Sequence, residues 1–211
     1  MFTGIISELG TIQRIITTES GKTFEVKAGK ILQNKKIGDS IAINGACITV
    51  TKLEKDHFEF DAIRETLQKT NLKNLKEYDE VNLESAMVLG QTLDGHLVQG
   101  HIDATGTVEK FEKNKDQNTL TIKFPFNIAK YLAFKGSVCI NGVSLTISEL
   151  QEDAFSVELI PHTLENTNLK NLKKGDEVNL EIDLISRYLE RLLDVKANEA
   201  KYEYLRERNL I

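Results

Sequence analysis

Between Ser40 and Thr51 the chain alternates apolar and polar side chains with a period of two. Two short runs rich in Ile, Val and Thr, SIAI and ACITVT, flank Asn44-Gly45. That dipeptide favours a two-residue hairpin turn because both positions tolerate positive φ. Further strands are predicted over 58–62, after a turn at Lys55-Asp56, and over 81–85, with short helical turns over 30–34 and 65–70. Short strands broken by turns at this spacing predict a small barrel or sandwich. Successive strand side chains point to opposite faces. Ile48 and Val50 therefore share one face and Cys47, Thr49 and Thr51 the other. Likewise Leu145 and Ile147 oppose Ser144, Thr146 and Ser148. The bulky apolar pairs must fill the interior, which puts Cys47, Thr49, Ser144 and Thr146 on the outer wall. A ligand touching them would lie against the barrel's exterior, under a covering element. Near the C-terminus the period changes: Leu184, Tyr188, Leu192 and Val195, widened by Ile185, Leu189 and Leu193, form one stripe of an amphipathic helix reaching toward Arg208. Such a helix either packs on its own barrels or bundles with copies from other subunits.

The pattern occurs twice. Residues 62–84, AIRETLQKTNLKNLKEYDEVNLE, match residues 159–181, LIPHTLENTNLKNLKKGDEVNLE, at sixteen of 23 positions with an offset of 97. SIAINGACITV from Ser40 matches SVCINGVSLTI from Ser137 at the same offset, and TGIISELGTI from Thr3 matches QGHIDATGTV from Gln99 at 96. A period this long indicates a duplicated domain rather than a solenoid. The expected division is 1–96 for the first unit with its bridge, 97–185 for the second, and 186–211 for the helix, which repeats nothing. The repeated TNLKNLK segments are expected to be surface connections.

Net charge is −5 over 211 residues, so no basic face is implied and neither nucleic acid nor an anionic membrane is an expected partner. The N-terminus lacks a basic leader, and no apolar run approaches a membrane span. A cytoplasmic protein with reduced Cys47 and Cys139 is expected. No Cys or His spacing suggests a metal site.

The two copies differ in reactive groups. Ile5 corresponds to His101, Cys47 to Ser144, and Arg64-Glu65 to Pro161-His162. Paired sites with unequal chemistry suit a reaction between two similar molecules. Plain structural roles stand beside this reading: Cys47 as a partly buried cysteine, His101 and His162 as surface histidines, and Glu65 and Thr66 as caps of a short helix. Cys139, aligned with Ala42, reads as structural. His57 and His96 read as non-catalytic.

MFTG at the start, NGACITV at Asn44, GHLVQGH ending at His101, NGVSLT at Asn141 and LIPHTLENT at Leu159 together resemble riboflavin synthase over essentially the whole chain. The resemblance implies a mainly β fold: tandem duplicated six-stranded Greek-key β-barrels plus a C-terminal amphipathic α-helix that helps build a homotrimer. It implies that each barrel binds one 6,7-dimethyl-8-ribityllumazine, with the active site between the N-terminal barrel of one subunit and the C-terminal barrel of the next. A four-carbon unit passes between the two molecules without a cofactor, giving riboflavin and 5-amino-6-ribitylaminouracil. Association with lumazine synthase is also admitted. By position, Gly4, Ile5, Ile6, Cys47, Ile48, Thr49, Asp61, Ala62, Ile63, Arg64, Glu65 and Thr66 correspond to ligand contacts of the N-terminal barrel. Gly100, His101, Ile102, Lys135, Ser144, Leu145, Thr146, Ile160, Pro161, His162, Thr163, Leu164 and Glu165 correspond to those of the C-terminal barrel. Ser40, Cys47 and His101 match the positions most often linked to catalysis, and Thr49 and Thr146 would hydrogen-bond the pyrimidine edge. Two departures stand out: Asn141 where the family commonly has Asp, and Gln99 where Ser is frequent.

Three rivals remain. A lumazine-binding antenna protein tends to lose the thiol and histidine that stand here as Cys47 and His101. A flavin-dependent electron-transfer protein would require a glycine-fingerprint βαβ unit, which the sequence lacks. A structural duplicated barrel leaves the unequal reactive positions unexplained.

Overall fold

The computed structural model describes residues 1–114 and 118–207; Arg208 and the side chain of Val195 lie outside the described part. Strands β1 (Glu8–Thr17), β2 (Gly21–Lys27), β3 (Ser40–Ile43), β4 (Ala46–Leu53), β5 (His57–Ile63) and β6 (Glu80–Ser85) form the first unit. They close into an antiparallel barrel in the order β1-β2-β5-β4-β3-β6, with β6 returning to β1. Strands β7 (Ala104–Lys113), β8 (Asn118–Lys123), β9 (Ser137–Ile140), β10 (Val143–Leu150), β11 (Ala154–Glu158) and β12 (Glu177–Ile182) repeat that order in a second closed barrel. Helices α1 (Arg64–Lys69) and α2 (Pro161–Asn166) occupy equivalent places, and α3 (Leu184–Glu207) follows the second barrel. Register shifts at Ile12/Arg14 and Val50/Lys52 recur at Val108/Lys110 and Ile147/Glu149, bending the long strands so that each small sheet closes.

The alternation read from the sequence is the alternation observed. Ile48 and Val50 are buried with Phe24, Phe58 and Phe60 inside the first barrel, whereas Cys47 is half-buried and Thr49 exposed. In the second barrel Ile147 is interior, Ser144 half-buried and Thr146 exposed. Phe24 and Phe60 stack at 4.9 Å between centroids, a cross-strand pair that fixes the β2–β5 register.

The TNLKNLK segments are surface connections only in part: Lys73, Asn74, Asn171 and Lys173 are exposed, but each segment also has a buried face. Each folds into a short 3-10 turn that buries its first Asn and Leu, Asn71 with Leu72 and Asn168 with Leu169. The asparagines meet across the barrels. Asn44 Oδ1 accepts from Asn82 N (2.9 Å) and Asn168 Nδ2 (2.9 Å); Asn141 Oδ1 accepts from Asn179 N (2.8 Å) and Asn71 Nδ2 (3.0 Å). Asn82 and Asn179 complete the pseudo-two-fold set by donating to Asn141 O and Asn44 O, both at 2.8 Å. The two hairpin tips abut so closely that a Cβ on Gly45 would lie 2.7 Å from Gly142 N. Asn141 is thus a turn residue of the barrel–barrel contact, with its side-chain oxygen fully used, and a carboxylate is not needed there. Asn179→Ala would strip partners from the buried Asn71 N–H and Asn44 C=O. Unmade buried hydrogen bonds cost about 1–3 kcal/mol each. A fall of about 3 kcal/mol in unfolding free energy is expected by urea denaturation, against little change for the exposed Asn74→Ala.

Helix α3 faces the barrels with polar side chains. Arg187 Nη2 donates to Asp103 Oδ1 at 2.6 Å, and Glu190 receives Lys130 and the Tyr131 hydroxyl. Ile185, Tyr188, Leu189, Leu192 and Leu193 are left exposed. Helix α3 thus touches its own barrel through polar groups, while the described apolar side chains from Ile185 to Leu193 do not pack on it.

Candidate active site

The N-terminal segment of each unit does not stay with its own barrel. Phe2 and Val98 pair in an antiparallel bridge, Phe2 N to Val98 O at 2.7 Å and Val98 N to Phe2 O at 3.1 Å, so the two segments cross. Beyond the crossing, Gly4 O accepts from Ser144 N of the second barrel at 2.8 Å, and Gly100 O accepts from Cys47 N of the first at 2.9 Å. Ile6 packs against the second core and Ile102 against the first. This corrects the barrel assignment drawn from position along the chain. Gly4, Ile5 and Ile6 join Ser144, Leu145 and Thr146, while Gly100, His101 and Ile102 join Cys47, Ile48 and Thr49. A repeat aligns equivalent positions but says nothing of segment exchange.

Both crossings depend on glycine. Gly4 and Gly100 have φ of 78° and 81°, and a Cβ there would fall 2.6 Å from Ser144 Cβ and 2.5 Å from Cys47 Cβ. Each loop hangs on a buried carboxylate of the last strand. Glu84 accepts from Thr3 N (2.6 Å), Thr3 Oγ1 (2.7 Å) and Gly4 N (3.0 Å); Glu181 accepts from Gln99 N (2.6 Å) and Gly100 N (2.9 Å). Burial pushes both acids up, Glu181 to about 7, because removal from water penalises the anion more than the backbone N–H donors relieve it. Gln99 contributes its backbone N–H to this clamp, so its side-chain identity leaves the clamp intact. The signal for Glu84 and Glu181 in the sequence is their recurrence at equivalent positions of the repeat, within strands β6 and β12.

On the first wall Ser40 pairs across the strands with Thr49, and Ala42 with Cys47, so Ser40, Cys47 and Thr49 share the outer face, with the Gly100–Ile102 loop bonded to Cys47. His101 is exposed and lines, with Gln68, Lys69, Asp103 and Arg187, a hollow of about 540 Å³. On the second wall Ser137 pairs with Thr146 and Cys139 with Ser144. Cys139 is buried against Phe2 and Val98, a structural place, and burial raises its thiol pKa. Ile6 and Glu165 line the matching, smaller hollow of about 220 Å³.

The remaining expected contacts sit at the rims. Asp61 accepts from Thr23 Oγ1 at 2.6 Å, Arg64 donates to Glu19 O at 2.7 Å, and Glu65 is paired with Lys69 at 2.7 Å. Glu65 lies in the first turn of α1, whose cap is Ile63 without a side-chain bond, so neither it nor Thr66 is the capping residue suggested. Ile63 is exposed beside them, as are Ile160, Pro161, His162 and Glu165 around α2, with Thr163 and Leu164 half-buried. The side chains of Ala62 and Ile48 are inside the barrel, so only their backbone can face a ligand. Exposed Lys135 holds a left-handed φ of 64°, where the first copy has Gly38, and its Nζ lies 5.1 Å from the Phe134 ring centroid. His96, read from the sequence as a bridge residue without a role, lies against the second wall with Nδ1 2.7 Å from Ser144 Oγ. A concavity of about 1010 Å³ on the outer face of the second barrel is lined by none of the candidate residues of the sequence.

Residues 3–86 and 99–183 each match the lumazine binding domain family. Riboflavin synthase of Bacillus subtilis (strain 168) is 41% identical over 201 residues, spanning 95% of this chain and 93% of its own. Riboflavin synthase of Actinobacillus pleuropneumoniae is 41% identical over 202 residues, covering 95% and 94%. Crystal structures of LumP share the fold. The complex with 6,7-dimethyl-8-(1'-D-ribityl) lumazine has a TM-score of 0.79 at 27% identity, covering 86% of this chain and 99% of LumP, and the riboflavin complex has 0.81 at 28%, with the same coverage. With its two lumazine-binding barrels in tandem and this identity along nearly the whole length, the chain belongs to the riboflavin synthase family.

Proposed function

We propose that this protein is a riboflavin synthase, a transferase of riboflavin biosynthesis that passes a four-carbon unit between two molecules of 6,7-dimethyl-8-ribityllumazine. The products are riboflavin and 5-amino-6-ribitylaminouracil. The observation that carries this reading is a pair of pseudo-equivalent outer walls with unequal groups: Cys47 beneath the Gly100–His101 loop, and Ser144 beneath the Gly4–Ile5 loop. Each wall supplies a ring-sized berth, the first formed by 47–49, 100–102 and 61–66, the second by 144–146, 4–6, 160–165 and Lys135. Thr49 and Thr146 hydrogen-bond the pyrimidine edges.

In the reaction His101 takes a proton from the C7 methyl of one lumazine, whose ring delocalises the resulting anion, the imidazole acting as general base. Cys47 or a water adds to the lumazine held in its own berth and activates it as donor, with Ser40 beside it on the wall, while His101 acts across the stack on the facing ring. Stacking and orienting the two rings supply much of the rate. Both berths are open walls, and a second barrel is the cover that excludes water. The bare apolar stripe of α3 supports three subunits bundled through residues 186–211, bringing the N-terminal barrel of one against the C-terminal barrel of the next. Residues 1–96 and 97–185 are the two lumazine-binding units. No described helix is long and apolar enough to cross a membrane, and the proposed location is the cytoplasm. Docking to lumazine synthase is a testable extension of the same assignment.

The likeness to LumP, solved with lumazine bound, favours a second reading as a non-catalytic lumazine carrier; Cys47 and His101 speak for the enzyme. Incubation of the purified protein with 6,7-dimethyl-8-ribityllumazine alone separates them. Accumulation of riboflavin is expected. Tight uptake of the lumazine with no riboflavin formed would replace the enzyme by the carrier.

A further inference from the structure

The bridge between the barrels has no counterpart in the repeat, yet it ends on the second wall. His96 N donates to Thr3 O at 3.1 Å, and a Cβ on Gly95 would lie 2.1 Å from Thr3 O and 2.9 Å from Ser144 Cβ. This seats the His96 ring, 8% exposed, with Nδ1 2.7 Å from Ser144 Oγ. Ser144 stands on the outer face of β10 beside Thr146. Its counterpart Cys47 has no side-chain hydrogen bond among the described residues.

We infer that His96 is a positioning residue of the C-terminal berth: it fixes the Ser144 hydroxyl in one orientation and so makes the two lumazine berths chemically unequal. Burial lowers the ring's pKa against the pull of Asp183, which favours the neutral imidazole with its single N–H. Among the described residues Nε2 is buried without a partner, and the Ser144 contact is the ring's one hydrogen bond. A neutral ring either donates to Ser144 Oγ, leaving the hydroxyl proton for a ligand acceptor, or accepts that proton, leaving the oxygen lone pairs for a ligand donor. In both cases a freely rotating hydroxyl becomes a directed one, as binding of a rigid heterocycle requires.

This inference rests on the lumazine-binding reading, and the test separates the two. In the full-length protein, His96→Leu, His96→Asn and Ser144→Ala, singly and with His96→Leu combined with Ser144→Ala, are titrated with 6,7-dimethyl-8-ribityllumazine by fluorescence and assayed for KM and kcat. His96→Leu and Ser144→Ala are each expected to weaken one of two binding events about tenfold, the size of one lost ligand-directing hydrogen bond. His96→Asn, which keeps a polar atom near the Nδ1 position, should stay within about threefold of wild type on the same scale. The double variant should be no weaker than either single one, since both remove the same interaction. Additive losses, an equal loss in His96→Asn, or unchanged binding in His96→Leu would overturn the role of His96. Should His96→Leu lower the melting temperature, Ser144→Ala decides alone: intact affinity in that variant overturns the inference. A wild-type protein that takes up no lumazine overturns the family reading instead.

Discussion

Replacing His101 with alanine is expected to lower the turnover of 6,7-dimethyl-8-ribityllumazine by about 100- to 10,000-fold, the usual worth of a positioned proton-transfer group, while lumazine still binds. The loop that carries His101 is held by its backbone. Gly100 O accepts from Cys47 N, and Gly100 N donates to Glu181, so deleting the imidazole leaves the loop in place. The side chain reaches into the hollow beside Gln68 and Lys69 rather than into a core, so the substitution makes no cavity. Loss should therefore fall on kcat with KM nearly unchanged, the signature of an interaction used in the transition state. Single-turnover absorbance measurements, paired with lumazine titration, distinguish this from weakened binding. A variant within threefold of wild-type kcat would remove His101 from the chemistry and pass the role to the Cys47 side of the berth. Cys47→Ala, by comparison, should show the smaller loss, because a water can take the nucleophile's place.

The second large effect is one of pH. Glu181 is 2% exposed, and burial lifts it from an ordinary 4.5 to about 7. Between those values the folded chain keeps a proton that the unfolded chain has released, so the native state binds more protons and stability falls as pH rises. The contribution is fully favourable below about pH 4.5, declines through the window, and is level above pH 7. At 1.36 kcal/mol per pH unit the decline amounts to about 3 kcal/mol. Glu84 acts in the same direction at the other crossing. Urea denaturation from pH 4.5 to 8 should thus show wild type losing about 3 kcal/mol more than Glu181→Gln, which cannot titrate. Parallel pH profiles for the two proteins would show that the carboxylate is not held neutral by its burial. Because Glu181 anchors the segment ending in His101, the same titration is expected to loosen or tighten that loop around neutral pH.

The barrels were legible because their causes are local. A period-two alternation with Asn-Gly turns specifies which side chains fill an interior, and doubling that pattern at an offset of 97 specifies two such interiors. Cys47, Thr49, Ser144 and Thr146 were placed on the outer walls by that reasoning, and they are there. The helix was legible from its 3.6-residue stripe, but not which side would meet the barrels: polar Arg187 and Glu190 do, through partners more than 50 positions away. The asparagine network was hidden for a similar reason. A repeated Asn reads as a polar surface residue until the second barrel supplies its partner, as Asn179 does for Asn71.

What the sequence determined by itself was the repeating unit, its barrel-forming pattern and the reactive groups offered at equivalent positions. What only the tertiary structure decided was the partnership among them: Gly100 and His101 with Cys47, Gly4 with Ser144, and His96 with the second wall. The physical reason is range. Strand alternation and turn geometry act within a few residues, whereas the crossing of the two segments depends on the Phe2–Val98 bridge and on Glu84 and Glu181, each some 80 positions from the loop it holds.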